Sequence, residues 1–174
     1  MSLATALSDS SAFMAITANV PTSQHNRGPF QELYKHNQAD FAQVLRPVVK
    51  RAFQPTRVDM LPLALRQAMD TMVTGRPGPV NLDIPYNVFQ EEADVEVPAR
   101  SHIDRPHRPG ASDYDINEAL KLLEQARQPV LFIGHGATLA EAGPEITEFV
   151  NKYGIPVITS PNGMGCVDGN NRLA

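Results

Sequence analysis

Apolar and polar positions fall in blocks along this chain, and each block has the period of a recognisable element. Ala12-Phe13-Met14-Ala15-Ile16 is a nearly continuous apolar run, the pattern of a strand covered on both faces in a parallel sheet. Asn19-Val20-Pro21-Thr22 ends it with turn residues. Residues 30–45 have mixed, weakly helical spacing, and residues 48–53 are a second strand candidate. Asp59 is placed to cap a helix, and Pro62 fits only its first turn, where the missing N–H costs little. Leu61, Leu65, Ala68, Met69 and Met72 then share one helical stripe. Gly75 stands where that helix would stop, and residues 79–85 read as a third strand.

Residues 91–110 change character. They are charged, contain Pro98, Pro106 and Pro109, and have few large apolar side chains, as a linker does. The pattern then restarts. Ser112 with Asp115 resembles a capping box, and Ile116, Ala119, Leu120 and Leu123 keep helical spacing. Residues 129–133 read as a buried strand and Gly134-His135-Gly136 as a tight turn. Residues 144–153 read as a helix stopped by Gly154, and 155–159 as the next strand. Helix and strand in alternation with short connections predict an α/β fold. The expected arrangement is two partial Rossmann-like parallel-sheet domains, 1–90 and 111–174, joined by the proline-rich linker 91–110. About three and two strands are in view, against about five or six in a usual sheet.

Composition narrows the function classes. Of 174 residues 42% are hydrophobic and 20% charged, enough apolar material for a packed core. The net charge of -4, without a basic block, argues against a nucleic-acid partner. The longest apolar stretches, such as Val130 to Ile133, are far too short to span a bilayer. Met1-Ser2-Leu3-Ala4 has no basic character, so no secretory signal is expected. The single cysteine, Cys166, excludes an intrachain disulfide and suits the cytoplasm.

Three places could carry chemistry. Gly134 and Gly136 sit between a strand and a helix, where backbone N–H groups can approach a phosphate. Leu139 occupies the place of a third glycine, and the next strand ends in Thr159-Ser160 without an acid. A plain strand-to-helix turn therefore stays open beside a phosphate cradle. Gly75-Arg76-Pro77-Gly78-Pro79 displays one guanidinium, suited to a phosphate or carboxylate or simply solvated. Phe30-Gln31-Glu32 groups an aromatic, an amide and a carboxylate, although Phe30 also reads as a core residue at a helix start. The histidines, His25, His36, His102, His107 and His135, have no metal-ligand spacing, and Asp168-Gly169-Asn170-Asn171 reads as a turn.

Taken in order, several stretches resemble the acetolactate synthase family of thiamine-diphosphate-dependent enzymes. Residues 15–22, ITANVPT with its flanking Ala15, are similar to that family's I-T-G-x-V-P-T strand end. Phe30-Gln31-Glu32 matches F-Q-E, and Arg46-Pro47-Val48-Val49-Lys50 resembles R-P-V-x-K. Residues 74–85 match S/T-G-R-P-G-P-V-x-x-D-I-P, and residues 128–136 and 154–159 resemble the opening of the central domain. Ala18 replaces the usual glycine, the segment from Glu32 to Arg46 is longer than usual, and Tyr86-Asn87 replaces a common lysine-aspartate.

The resemblance implies three α/β domains in the complete enzyme. Residues 1–90 would be the C-terminal half of the pyrimidine-binding domain, and residues 111–174 the N-terminal half of the central domain. It also implies thiamine diphosphate and Mg²⁺ in the full-length parent, with FAD left open, a 2-oxo acid substrate and a homo-oligomer. The activating glutamate and the metal-binding G-D-G would lie outside these residues. No catalytic residue and no metal ligand is therefore assigned here, and the chain alone is expected to be inactive. Phe30 and Gln31 would line the substrate channel, Arg76 would contact a flavin, and Gly134 and Gly136 would lie under its ADP portion. The rival from another class is a noncatalytic nucleotide-binding or structural α/β module.

Overall fold

The computed structural model describes residues 1–30, 32, 41–97 and 110–174. The chain divides into two compact units, Met1–His107 and Arg108–Ala174. Both are α/β, and among the described residues every strand pairing is parallel.

Among the described residues the first unit has a three-stranded sheet. Its strands are β1 (Met14–Asn19), β2 (Arg51–Phe53) and β3 (Val80–Pro85), in the order β1-β3-β2. The last strand made is thus the central one. Met14 pairs with Val80 and Asn19 with Pro85, while Arg51 pairs with Val80 and Phe53 with Leu82. Every residue of β3 is buried, as in a parallel strand that has neighbours on both edges and is covered on both faces. Successive side chains alternate between faces. Val80, Leu82 and Ile84 enter a core with Phe53, Ala68 and Val88, against which Leu61, Ala64 and Met72 of α3 (Leu61–Val73) pack. Burying Leu82 contributes about 1.5–3 kcal/mol.

Asp59 does not cap α3. A short 3-10 turn, Val58–Met60, leads into the helix, and Asp59 instead pairs with Arg57, whose Nε donates to its carboxylate at 2.9 Å. Pro62 lies in the first turn, as expected. The second strand begins later than its apolar run suggests, because Arg46–Val48, with Pro47, form a 3-10 turn. Of the segment read as weakly helical, α2 (Phe41–Leu45) is described, whereas residues 31 and 33–40 lie outside the described residues. A helix that the sequence pattern does not predict, α1 (Ser2–Ser8), opens the unit.

The second unit has two strands, β4 (Leu131–Ile133) and β5 (Val157–Thr159), paired in parallel. Helix α4 (Asp113–Gln125) starts at Ser112, whose Oγ accepts from the Asp115 N–H at 3.2 Å. Helix α6 (Gly143–Tyr153) ends at Gly154 in the left-handed conformation, φ 68°, where glycine carries no Cβ penalty. Ile133, Val150, Val157, Cys166 and Val167 form the core, so the segment after β5 folds back to fill it. The Val157 N–H donates to the Leu173 carbonyl at 2.6 Å.

The predicted linker is only partly visible, since 98–109 lie outside the described residues. Its first residue is bound to the first unit: the Glu91 carboxylate accepts from Asn87 Nδ2 at 2.7 Å and from the Val58 N–H at 3.1 Å.

Candidate functional site

Ligands of open parallel sheets settle at the C-terminal ends of the strands. In the first unit those ends hold a buried polar knot. Asp83 and Asn81 occupy the face of β3 opposite the apolar core, and both are fully buried. Asp83 Oδ1 accepts from Thr17 Oγ1 at 2.7 Å, and its Oδ2 accepts from Asn19 Nδ2 at 2.7 Å and Gln54 Nε2 at 2.8 Å. One carboxyl group thus joins the ends of β1 and β3 to the residue following β2. Asn81 Nδ2 donates to the Ala15 carbonyl and to Thr17 Oγ1. Buried polar groups are tolerated when bonded in this way, although Asn81 Oδ1 is buried without a partner among the described residues. The period of two in Val-Asn-Leu-Asp-Ile is the sequence signal for this polar face.

The knot sets the start of the loop that follows β1. Asn19 Oδ1 accepts from the Val20 N–H at 2.8 Å, and Asn87 Oδ1 accepts from the Thr22 N–H at 2.8 Å. Asn87, one of the departures from the family pattern, therefore joins the two strand ends. Further along, Glu32 is buried and Phe30 is exposed. Phe30 is no core residue: at 89% exposure it projects into solvent, because the backbone before it is turned outward around the Glu32 carboxylate. Gln31 lies outside the described residues.

Arg76 sits on the turn after α3. Gly75 has φ 64°, a left-handed conformation that glycine adopts freely. The guanidinium donates to Ser10 Oγ and to the Ser8 carbonyl, both at 2.7 Å. It therefore satisfies a carbonyl at the end of α1. A Cβ on Gly78 would lie 3.0 Å from Cδ and 3.1 Å from Cγ of Lys50, so Gly78 leaves room for the lysine stem. Lys50 Nζ donates to the Thr74 carbonyl at 2.7 Å, and burial lowers its pKa. The R-P-V-x-K and G-R-P-G stretches, apart in sequence, are one packed unit.

In the second unit, Gly134 and Gly136 flank His135 at the end of β4. The turn expected there continues as a one-turn helix, α5 (His135–Leu139), with Gly134 at its N-cap. A Cβ on either glycine would meet nothing within 4 Å, so the backbone is open to approach. His135 Nδ1 is buried without a hydrogen-bond partner among the described residues. Gly163 closes the underside: its Cβ would fall 2.3 Å from the Ile133 carbonyl oxygen. Among the described residues no three His, Cys, Asp or Glu side chains are grouped to hold a metal, and no helix is long and apolar enough to cross a membrane.

Two partial parallel sheets with open strand ends, the second followed by a glycine turn, define a class that comparison with known proteins makes specific. Residues 116–174 match the family described as thiamine pyrophosphate enzyme, central domain. A probable acetolactate synthase large subunit of Methanococcus aeolicus is 34% identical over 99% of this chain and 28% of its own length. The acetolactate synthase large subunit of Corynebacterium glutamicum is 36% identical over 95% of this chain and 26% of its own. Glyoxylate carboligase of Escherichia coli O157:H7 is 31% identical over 98% and 28% respectively. Nearly the whole chain is thus similar to acetolactate synthase large subunits, and its second unit matches the thiamine pyrophosphate enzyme central domain. The chain spans less than a third of the length of these relatives.

Proposed function

We propose that the full-length protein is a thiamine-diphosphate-dependent carboligase or lyase acting on 2-oxo acids, and that this chain alone does not turn over substrate. The observation that carries the reading is the collinear likeness to acetolactate synthases over 99% of the chain. Within it, residues 1–90 correspond to the end of the pyrimidine-binding domain, 91–110 to the linker and 111–174 to the start of the central domain. Thiamine diphosphate supplies the electron sink for decarboxylation and carbon–carbon bond formation, and the protein orients it.

This chain's own residues have supporting roles in that reading. Phe30 and Gln31 line the substrate channel, and the exposure of Phe30 suits it. Gly134 and Gly136 suit the phosphates of FAD or another nucleotide, since their backbone is open. Arg76 suits contact with a flavin through the guanidinium N–H groups that its bonds to Ser8 and Ser10 leave over. The enzyme is a cytoplasmic homo-oligomer without nucleic-acid or membrane partners, a reading supported by the free Cys166 and the negative net charge.

The test uses the full-length enzyme with thiamine diphosphate and Mg²⁺, offered pyruvate or glyoxylate. Carboligation or CO₂ release is expected, and none from the 174-residue chain. Turnover by the purified short chain, or none by the full-length enzyme with any 2-oxo acid, overturns the proposal.

A further inference from the structure

The loop after β1 is shaped around a carboxylate to which the proposed function gives no task. Glu32 is only 5% exposed. Its Oε1 accepts from the Asn26 N–H, and its Oε2 accepts from the Gly28 N–H at 2.6 Å. Its own N–H donates to the Pro29 carbonyl at 3.2 Å. Asn26 and Gly28 have φ of 63° and 70°. Glycine adopts the left-handed region freely, and asparagine visits it more readily than other residues with a side chain. Two such residues, two positions apart, turn their N–H groups toward a common point, and backbone of this kind forms an anion-binding concavity. Here the anion is a side chain from the same loop. Hydrogen bonds to a carboxylate are stronger than those between neutral groups, and two of them hold this backbone around Glu32.

The clamp has a visible effect two residues before Glu32. With the backbone of 26–28 wrapped around the buried carboxylate, the chain passes Pro29 with Phe30 outward. The other end of the loop is fixed independently, by Asn19 at Val20 and by Asn87 at Thr22. The loop is thus pinned at both ends, and only the Glu32 pin lies next to Phe30. We propose that Glu32 is a positioning residue: its buried carboxylate organises residues 26–30 and thereby sets the place of Phe30 at the channel. The effect at the channel rests on the proposed role of Phe30, whereas the clamp itself does not.

The experiment has two arms. In the 174-residue chain, amide exchange is measured for Asn26, Gly28 and Leu82 in the parent, Glu32→Gln and Glu32→Ala. Protection at Asn26 and Gly28 is expected to fall about 10- to 100-fold in Glu32→Ala, the size of one lost hydrogen bond to a charged group, with Leu82 unchanged. Glu32→Gln keeps the shape and one acceptor, and loses protection at one amide only. Unchanged protection in both variants, or equal loss at Leu82, overturns the clamp.

In the full-length enzyme, Glu32→Gln and Phe30→Ala are each expected to raise KM for the 2-oxo acid several-fold with kcat little changed. The double variant should be no worse than the poorer single one, since residues acting through one another are not additive. Additive effects would overturn the link to Phe30. An enzyme inactive on every 2-oxo acid would end the carboligase reading and the channel role with it, while the exchange result would still decide the clamp.

Discussion

The two units spend similar sequence patterns on different degrees of burial. The first has a strand flanked on both edges, and all six residues of β3 are buried. The second has two strands among the described residues, so neither is interior. Phe132 and Ile158, partners in the ladder, are 68% and 55% exposed. The stripe Ile116, Leu120 and Leu123 on α4 is also exposed, and α4 has no buried residue. A third strand does more than enlarge a sheet. It creates a position at which even an aspartate can be buried, because neighbours on both sides supply its hydrogen bonds.

Substitutions can break this contrast. Leu82→Ala, at the interior strand, is expected to cost about 2–5 kcal/mol, and Phe132→Ala, on the bare face, within about 0.5 kcal/mol. Urea unfolding followed by circular dichroism reads both, and equal costs would erase the distinction. Next in size is Gly163→Ala, whose Cβ would strike the Ile133 carbonyl oxygen at 2.3 Å. It should destabilise the second unit by about 1–3 kcal/mol, whereas Gly136→Ala, with open space around it, should not approach that loss. Thermal melts of the two variants compare them directly.

The bare face can be tested by dye and by sedimentation. The unvaried chain is expected to bind an apolar dye and to self-associate as concentration rises. Phe132→Ser with Ile158→Thr should reduce both, leaving the amides of β3 as protected as before. A monomeric parent that binds no dye would mean that the exposed pair is no liability. The smallest effect belongs to Arg76→Ala. Its bonds to Ser8 and Ser10 are exposed, so stability should change by about 0.5 kcal/mol or less. Exchange at the amides of α1 should nonetheless rise, since the guanidinium caps its last turn. An intact α1 in that variant would show that the contact holds nothing in place.

The sequence discloses elements whose causes are local. The Pro62 first turn, the Ser112 cap and the Gly154 stop each depend on residues within a few positions. Where causes are distant, sequence patterns miss them. Helix α1 has no charge and no capping side chain, and its end is satisfied by Arg76, 68 positions away. Asp59 reads as a cap by type and position, but a neighbouring guanidinium competes for it. Phe30 reads as core because aromatic side chains are usually buried, and the residue that turns it outward is a carboxylate whose burial no periodicity reveals. At the site, the glycines and Arg76 are legible as motifs. The Asp83 knot is not, because its donors Thr17, Asn19 and Gln54 come from separate stretches.

The order β1-β3-β2 has a consequence for synthesis. Among the described residues, both outer strands of the first unit pair only with β3, which is the last of the three to be made. A nascent chain that has emerged as far as Thr74 already carries β1, β2 and α3, yet no ladder can form between them. Met14 must wait for Val80, and Phe53 for Leu82. Domains fold as units while the ribosome is still extending the chain, and here the unit closes in one step when residues 80–85 clear the exit tunnel. Until then its apolar segments are available to chaperones, and a pause in translation before Val80 would lengthen that exposure more than a pause anywhere after Pro85.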